Sequence, residues 1–253
     1  GDNAASAVGI GAVRPGEGFV SLGTSGVIFL TSDRFRPNPA SAMHAFCHAL
    51  PGTWHQMSVM LSAANGLRWV THLVGAASEA ALLEQVAQLT PQQRARAPLF
   101  LPYLNGERTP HNNPHAQGGF FGLTNEHDAA ALGYAVVEGV TFGLLDGWHS
   151  LGVQPGEVAS LSLVGGGGRS ALWAQLLASA IGVPMVTRRG GEAGGALGAA
   201  RLAWLADGGA VEEVCRAPQV AATFAPDAIE AAVLGPRHAR FKALYRAVEG
   251  LFP

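Results

Sequence analysis

The chain has 253 residues, 34 of them glycine, a hydrophobic share of 48% and a formal net charge of −2. That is enough apolar material for one large domain or two small ones, and with Lys242 as its only lysine the chain has no basic stripe for nucleic acid or a membrane surface. Charged residues make up 13%, about half the usual share for a soluble domain, which points to a surface that something else normally covers in part.

In chain order, Gly1-Asp2-Asn3 runs straight into a helical pattern over 4–13, with Asp2 placed as its N-cap or as a carboxylate free to act as a general base. Strand-like runs over 19–22 and 27–30 flank Ser21-Leu22-Gly23-Thr24-Ser25-Gly26. Apolar spacing predicts a helix over 65–75 from Leu67, Val70, Leu73 and Val74, and a short buried strand over 98–103 that leads into a polar loop over 105–114. The longest helix is expected over 128–151, where Leu132, Val136, Val140, Leu144, Trp148 and Leu151 recur every three or four residues. A strand over 160–164, a helix over 170–181, a strand over 184–187 and a helix over 194–206 follow, and Gly235-Pro236 is expected to detach a last helix over 237–250. Such alternation implies an α/β fold, a sheet covered by helices.

Two loops carry the chemistry. In Leu163-Val164-Gly165-Gly166-Gly167-Gly168-Arg169-Ser170 an apolar strand breaks into glycines and enters a helix, so the backbone can approach a flat or anionic ligand while the new helix offers free N–H groups. A tight turn packing strand on helix reads the same way. The Ser21–Gly26 loop places the Thr24 and Ser25 hydroxyls and two glycines at a turn tip, a donor set for phosphate oxygens, and it is equally a plain hairpin turn. A P-loop is excluded because its lysine is missing. A dinucleotide-binding oxidoreductase fails because Ser170 replaces the third glycine and the strand after the helix ends at Arg188 instead of an acidic residue.

Cys47 and Cys215 match no metal or redox spacing and read as reduced thiols. His111 and His115 are kept off a common helix face by Pro110 and Pro114, so no metal site is expected. No uninterrupted apolar run approaches the ~18 residues of a membrane span and no signal-peptide pattern is seen, so the expectation is a cytoplasmic protein.

Taken together, Gly1-Asp2-Asn3-Ala4-Ala5, Ser21–Gly26, Tyr103-Leu104-Asn105-Gly106-Glu107-Arg108-Thr109-Pro110-His111, Gly119-Phe120-Phe121-Gly122-Leu123 and the four-glycine run resemble, in this order, the FGGY family of carbohydrate kinases. The Glu107–His111 stretch is more similar to the xylulokinases of that family than to its glycerol kinases or gluconokinases. The resemblance implies a ribonuclease-H-like domain of the actin/hexokinase ATPase kind, with residues 1–253 forming the C-terminal, nucleotide-binding half of a two-domain enzyme. Asp2 then matches the catalytic aspartate, Asp2 and Asn3 meet the sugar, Gly23 and Thr24 match a phosphate loop, and Gly165, Gly166, Gly167 and Ser170 match the adenosine loop. Ala64 and Arg68 fall where the family lines its nucleotide pocket. ATP with Mg²⁺, a ketopentose substrate and a missing N-terminal domain are the implied partners, and a homodimer stands open.

Two departures accompany the likeness. A position that is usually polar, beyond Gly122-Leu123, falls within Ala129-Ala130-Ala131, and the family's Asp-x-Gly-Thr hairpin is absent from the chain. The second reading, from another class, is a non-catalytic nucleotide- or sugar-binding module.

Overall fold

The computed structural model describes residues 1–191 and 194–253. Helix α1 (Asp2–Ile10) ends at Gly11, whose φ of 77° lets its N–H turn back onto the carbonyls of Ala7 and Val8. This left-handed stop cuts the expected helix short of residue 13. The N-cap is Gly1, not Asp2: the helix starts at Asp2, two residues before its apolar pattern, so the Asp2 carboxylate lies beside the first turn, where it accepts the Asn3 N–H at 2.9 Å. A carboxylate there still complements the helix dipole.

Strands β1 (Gly18–Leu22) and β2 (Gly26–Ser32) form the anticipated antiparallel hairpin. Next come β3 (His44–Cys47) and β4 (Trp54–Met60), two strands the periodicity did not announce. After α2 (Ala64–Leu73), α3 (Glu79–Ala87) and α4 (Pro91–Arg96), β5 (Leu99–Leu101) pairs with β6 (Gly119–Phe121) in a small separate sheet. The rest is α5 (Ala129–Ser150), β7 (Leu161–Val164), α6 (Ala171–Ile181), β8 (Met185–Arg188), α7 (Gly194–Ala206), α8 (Val211–Val214), β9 (Val220–Phe224) and α9 (Ala228–Val248).

The main sheet has seven strands in the order β3-β4-β2-β1-β7-β8-β9, with β1, β7 and β8 parallel and the outer pairs antiparallel. Alternation decides which face each residue serves. Phe19, Val27, Phe29 and Met57 pack with Ala7, Ile10 and Ala12 beneath α1, whereas Val20, Leu22, Ile28 and Leu30 join the larger core with α5 and α6. By length and composition α5 could cross a membrane, with a window of mean hydropathy 1.3, but 89% of that window is buried inside the protein, which makes it a core helix. Asp128 caps it through the Ala131 N–H at 2.9 Å, so the alanines 129–131 are its first turn.

Helix α9 is continuous through Pro236, contrary to the break expected at Gly235-Pro236. A proline inside a helix costs about 3 kcal/mol. The residues just after it offset that locally: Arg237 forks onto both Glu138 oxygens at 2.6 Å, and His238 Nε2 meets Asp146 Oδ1 at 2.7 Å. All four side chains are buried. Tertiary pairing with α5 thus overrides a local helix breaker.

Candidate functional site

The turn between β1 and β2, at Gly23-Thr24-Ser25, is stitched to the start of α2. Ala63 N–H donates to the Thr24 carbonyl at 2.9 Å and Ala64 N–H to the Gly23 carbonyl at 2.9 Å. With its carbonyls engaged from below, the turn presents the exposed Thr24 and Ser25 side chains outward. Donors held this way lose little freedom on meeting an anion.

The glycine run leaves β7 beside this turn. Gly165 has a φ of 87°, and a Cβ there would stand 2.7 Å from the Leu22 backbone carbon and oxygen, so only glycine allows the two loops to touch. Gly166 to Arg169 make one 3-10 turn, and Ser170 then caps α6, its Oγ accepting the Trp173 N–H at 3.2 Å. Gly166 faces open space.

Between these loops lies a cleft of about 760 Å³. Of the residues expected to hold nucleotide, Gly23, Thr24, Ala64, Arg68, Gly166, Gly167 and Ser170 all line it. Gly165 does not: its backbone packs against Leu22, and it borders a smaller neighbouring cleft of about 270 Å³. Asp2 and Asn3 are not among the lining residues either, and Asp2 is exposed at the tip of α1.

One wall was missed by the sequence reading. Helix α3 contributes Glu79, Ala80, Leu83, Glu84 and Ala87. Ser78, which caps α3 through the Ala81 N–H at 3.1 Å, followed by Glu79 in the first turn, is the start signal that could have located the helix. Nothing local marks its face as a wall. Arg169 and Leu172 complete the opposite side.

The donor set suits a nucleotide. Leu67, Leu83 and Leu172 offer apolar surface for a base, glycine backbone and the Thr24 hydroxyl serve phosphate oxygens, and Arg68 and Arg169 bring positive charge. Arg68 Nε lies 3.5 Å from Glu79 Oε1 with both side chains largely in solvent. Such an exposed pair holds the arginine only weakly and leaves it free to turn to an anion. No group of three or more His, Cys, Asp or Glu side chains that could hold a metal ion occurs among the described residues. His111 is committed elsewhere: it bonds the Tyr103 hydroxyl at 2.9 Å and stacks on Tyr245 at 3.6 Å.

The dinucleotide alternative is closed by topology and by Arg188. A β1–β2 antiparallel hairpin sits inside the sheet, and Arg188 Nε donates to Ser162 Oγ at 2.7 Å while Nη1 donates to the Pro218 carbonyl at 2.8 Å. That guanidinium is structural.

Comparison with known proteins agrees with this geometry. The model of the FGGY family of carbohydrate kinases, C-terminal domain, matches residues 18–206. A xylulose kinase of Escherichia coli (strain K12) is 47% identical over 251 residues, covering 97% of this chain and 51% of that protein. A xylulose kinase of Klebsiella pneumoniae is 51% identical over 209 residues, covering 81% and 42%. The crystal structure of a xyloylose kinase from Brucella ovis superposes with a TM-score of 0.92 at 45% identity, over 99% of this chain and 51% of that one. The chain therefore spans about half the length of the relatives it matches, and its mixed sheet flanked by helices is of the ribonuclease-H-like, sugar-kinase kind. On this fold, this cleft and these matches, the chain belongs to the FGGY family of carbohydrate kinases, of which it carries the C-terminal domain.

Proposed function

We propose that this chain is the nucleotide-binding half of a cytoplasmic, ATP-dependent ketopentose kinase acting on D-xylulose, and that a preceding domain supplies most sugar contacts. The observation that carries the reading is the convergence of Gly23, Thr24, Ala64, Arg68, Gly166, Gly167 and Ser170 on one cleft although they lie on separate segments of the chain. The sugar is proposed from the names of the relatives, which are xylulose kinases.

In this reading the Gly23-Thr24 turn holds phosphate oxygens, Gly165 sets the adenosine loop against that turn, and Gly166 and Gly167 meet the nucleoside. Mg²⁺ arrives on the ATP oxygens and water, without a protein cage. The Asp2 carboxylate takes the proton from the acceptor hydroxyl as that oxygen bonds to the γ-phosphorus, the bond to the β–γ bridging oxygen breaks, and ADP leaves. Asn3 orients the sugar beside it. Phosphoryl transfer of this kind relies on positioning and charge stabilisation, so one aligned base suffices.

Asp2→Asn in the two-domain enzyme tests the chemistry. Asparagine keeps the Oδ1 acceptor for the Asn3 N–H but cannot take a proton, so kcat should fall about 10²–10⁴-fold with KM for ATP and sugar nearly unchanged. Near-normal turnover with a small stability change would make Asp2 structural. Comparing kcat/KM for xylulose, ribulose, glycerol and gluconate tests the acceptor, and a tenfold preference for any of the last three would overturn the sugar while leaving the kinase intact.

A further inference from the structure

Outside the cleft, the buried carboxyl of Glu107 stands out. It is 2% exposed, in the loop between β5 and β6, and its Oε2 is buried without a hydrogen-bond partner among the described residues. Its Oε1 accepts two backbone N–H groups, from Leu61 at 3.0 Å and Arg108 at 2.7 Å. An unpartnered buried oxygen is costly, so a packing role alone would be met better by an apolar side chain.

The bond to Leu61 has a destination. Residues 61–63 join β4 to α2, and the Glu107 loop grips this connection along its length. Thr109 exchanges bonds with Val59, N–H to carbonyl at 3.0 Å and Val59 N–H to Thr109 Oγ1 at 3.1 Å, while Asn105 Nδ2 donates to Ser62 Oγ at 2.9 Å. Ser62 and Ala63 are fully buried. Past Ser62, the Ala63 N–H and Ala64 N–H hold the Thr24 and Gly23 carbonyls.

We propose that Glu107 is a positioning residue for the phosphate turn: by holding the Leu61 N–H it sets the β4–α2 connection whose Ala63 and Ala64 amides fix Gly23-Thr24. This rests on the nucleotide reading of the cleft. Glu107 does not line the cleft. Its role is carried through backbone alone, and burial, which pushes its carboxyl up to about 7 against the pull of the two N–H groups, shows how closely it is enclosed.

The test uses this chain with ADP and Mg²⁺ by calorimetric titration, with hydrogen exchange at Ala63 and Ala64. Glu107→Leu keeps the bulk and removes the acceptor; Glu107→Gln keeps an acceptor at Oε1; Glu107→Asp keeps the carboxyl group but withdraws it by one methylene. Tenfold or greater weakening in the Leu and Asp variants is expected, with faster exchange at Ala63 and Ala64 but unchanged protection in α9, and recovery to within threefold of the native affinity in the Gln variant. If Glu107→Leu does not fold, the Asp and Gln pair decides alone. Equal affinity in the native, Asp and Gln proteins, or equal loss in Asp and Gln, or weakening without faster exchange at Ala63 and Ala64, overturns the proposal. No ADP binding by the native chain would instead refute the reading of the cleft.

Discussion

Gly165 and Gly166 are neighbours with opposite expected responses to substitution, and the contrast separates folding from binding. A Cβ at Gly166 meets nothing within 4 Å, so Gly166→Val should fold normally and set two methyl groups on the open face of the loop, against whatever lies in the 760 Å³ cleft. At Gly165 a Cβ would lie 2.7 Å from Leu22 backbone atoms at a φ of 87°. Left-handed strain of about 1–3 kcal/mol and overpacking of about 1–3 kcal/mol make Gly165→Ala roughly 2–6 kcal/mol less stable. For a chain of this size that lowers Tm by roughly 10 °C. The assay is scanning calorimetry beside titration with ADP. On the proposed reading, in which a preceding domain supplies further phosphate contacts, the native affinity is expected near millimolar, about −4 kcal/mol. Gly166→Val should lose at least tenfold in affinity with Tm within about 2 °C of native. Native-like ADP binding by a folded Gly166→Val would refute the loop as a ligand contact, and a harmless Gly165→Ala would refute the loop-to-loop packing argument.

Two further outcomes follow from buried charges away from the cleft. Arg237→Met leaves Glu138, 1% exposed, without its bidentate partner, and denaturant unfolding should show a loss of about 3–5 kcal/mol. Because burial already raises the Glu138 pKa, that loss should shrink as pH falls and the carboxyl takes a proton. His55, buried and stacked on Phe29 at 4.4 Å, is lowered from the usual 6.5 to about 4, chiefly by burial and then by the neighbouring His48 charge. The unfolded chain thus binds this proton near 6.5 and the folded chain only near 4, so stability is present above 6.5 and drains away as pH falls toward 4. His55→Phe keeps the stack and should reduce that acid loss by an amount on the order of 3 kcal/mol, measured by urea unfolding from pH 7 to 4; an unchanged slope would assign the acid sensitivity to other groups.

The loops were legible because their signals are local. Glycines after an apolar strand and a Gly-Thr-Ser turn between two strands state backbone requirements that hold whatever surrounds them, and the cleft forms where both requirements are met side by side. The wall from α3 was illegible for the converse reason: Leu83 and Ala87 are ordinary amphipathic-helix residues, and only the fold brings them opposite Gly166 and Leu172. Glu107 reads as a polar loop residue until burial is known. Gly235-Pro236 shows a local rule failing outright, since α9 continues across it with the pairs Arg237–Glu138 and His238–Asp146 just beyond. The N-cap role of Asp2 fell to a shift of one residue in the helix start.

Among the described residues only Oδ1 of the Asp2 carboxylate is hydrogen-bonded, to Asn3, and the question becomes what holds this carboxylate in place relative to a cleft it does not line. The answer lies at the other end of α1. Arg201 of α7 donates to the carbonyls of Val8 at 2.9 Å and Gly9 at 2.8 Å, and its second nitrogen to the Arg216 carbonyl at 2.7 Å. A guanidinium on the last carbonyls of a helix satisfies orphan acceptors and complements the negative dipole end. Beside it α1 and α7 cross backbone to backbone, since a Cβ on Gly198 would collide with the Ala5 carbonyl and one on Gly9 with Gly194. The chain then turns at Gly11 into β1, and the far end of β1 is the Gly23-Thr24 turn itself. Helix α1 and the Gly23-Thr24 turn are thereby two ends of one path, α1 locked on α7 and β1 locked between β2 and β7, so a carboxylate at the tip of α1 needs no direct contact with the cleft to stay fixed relative to it.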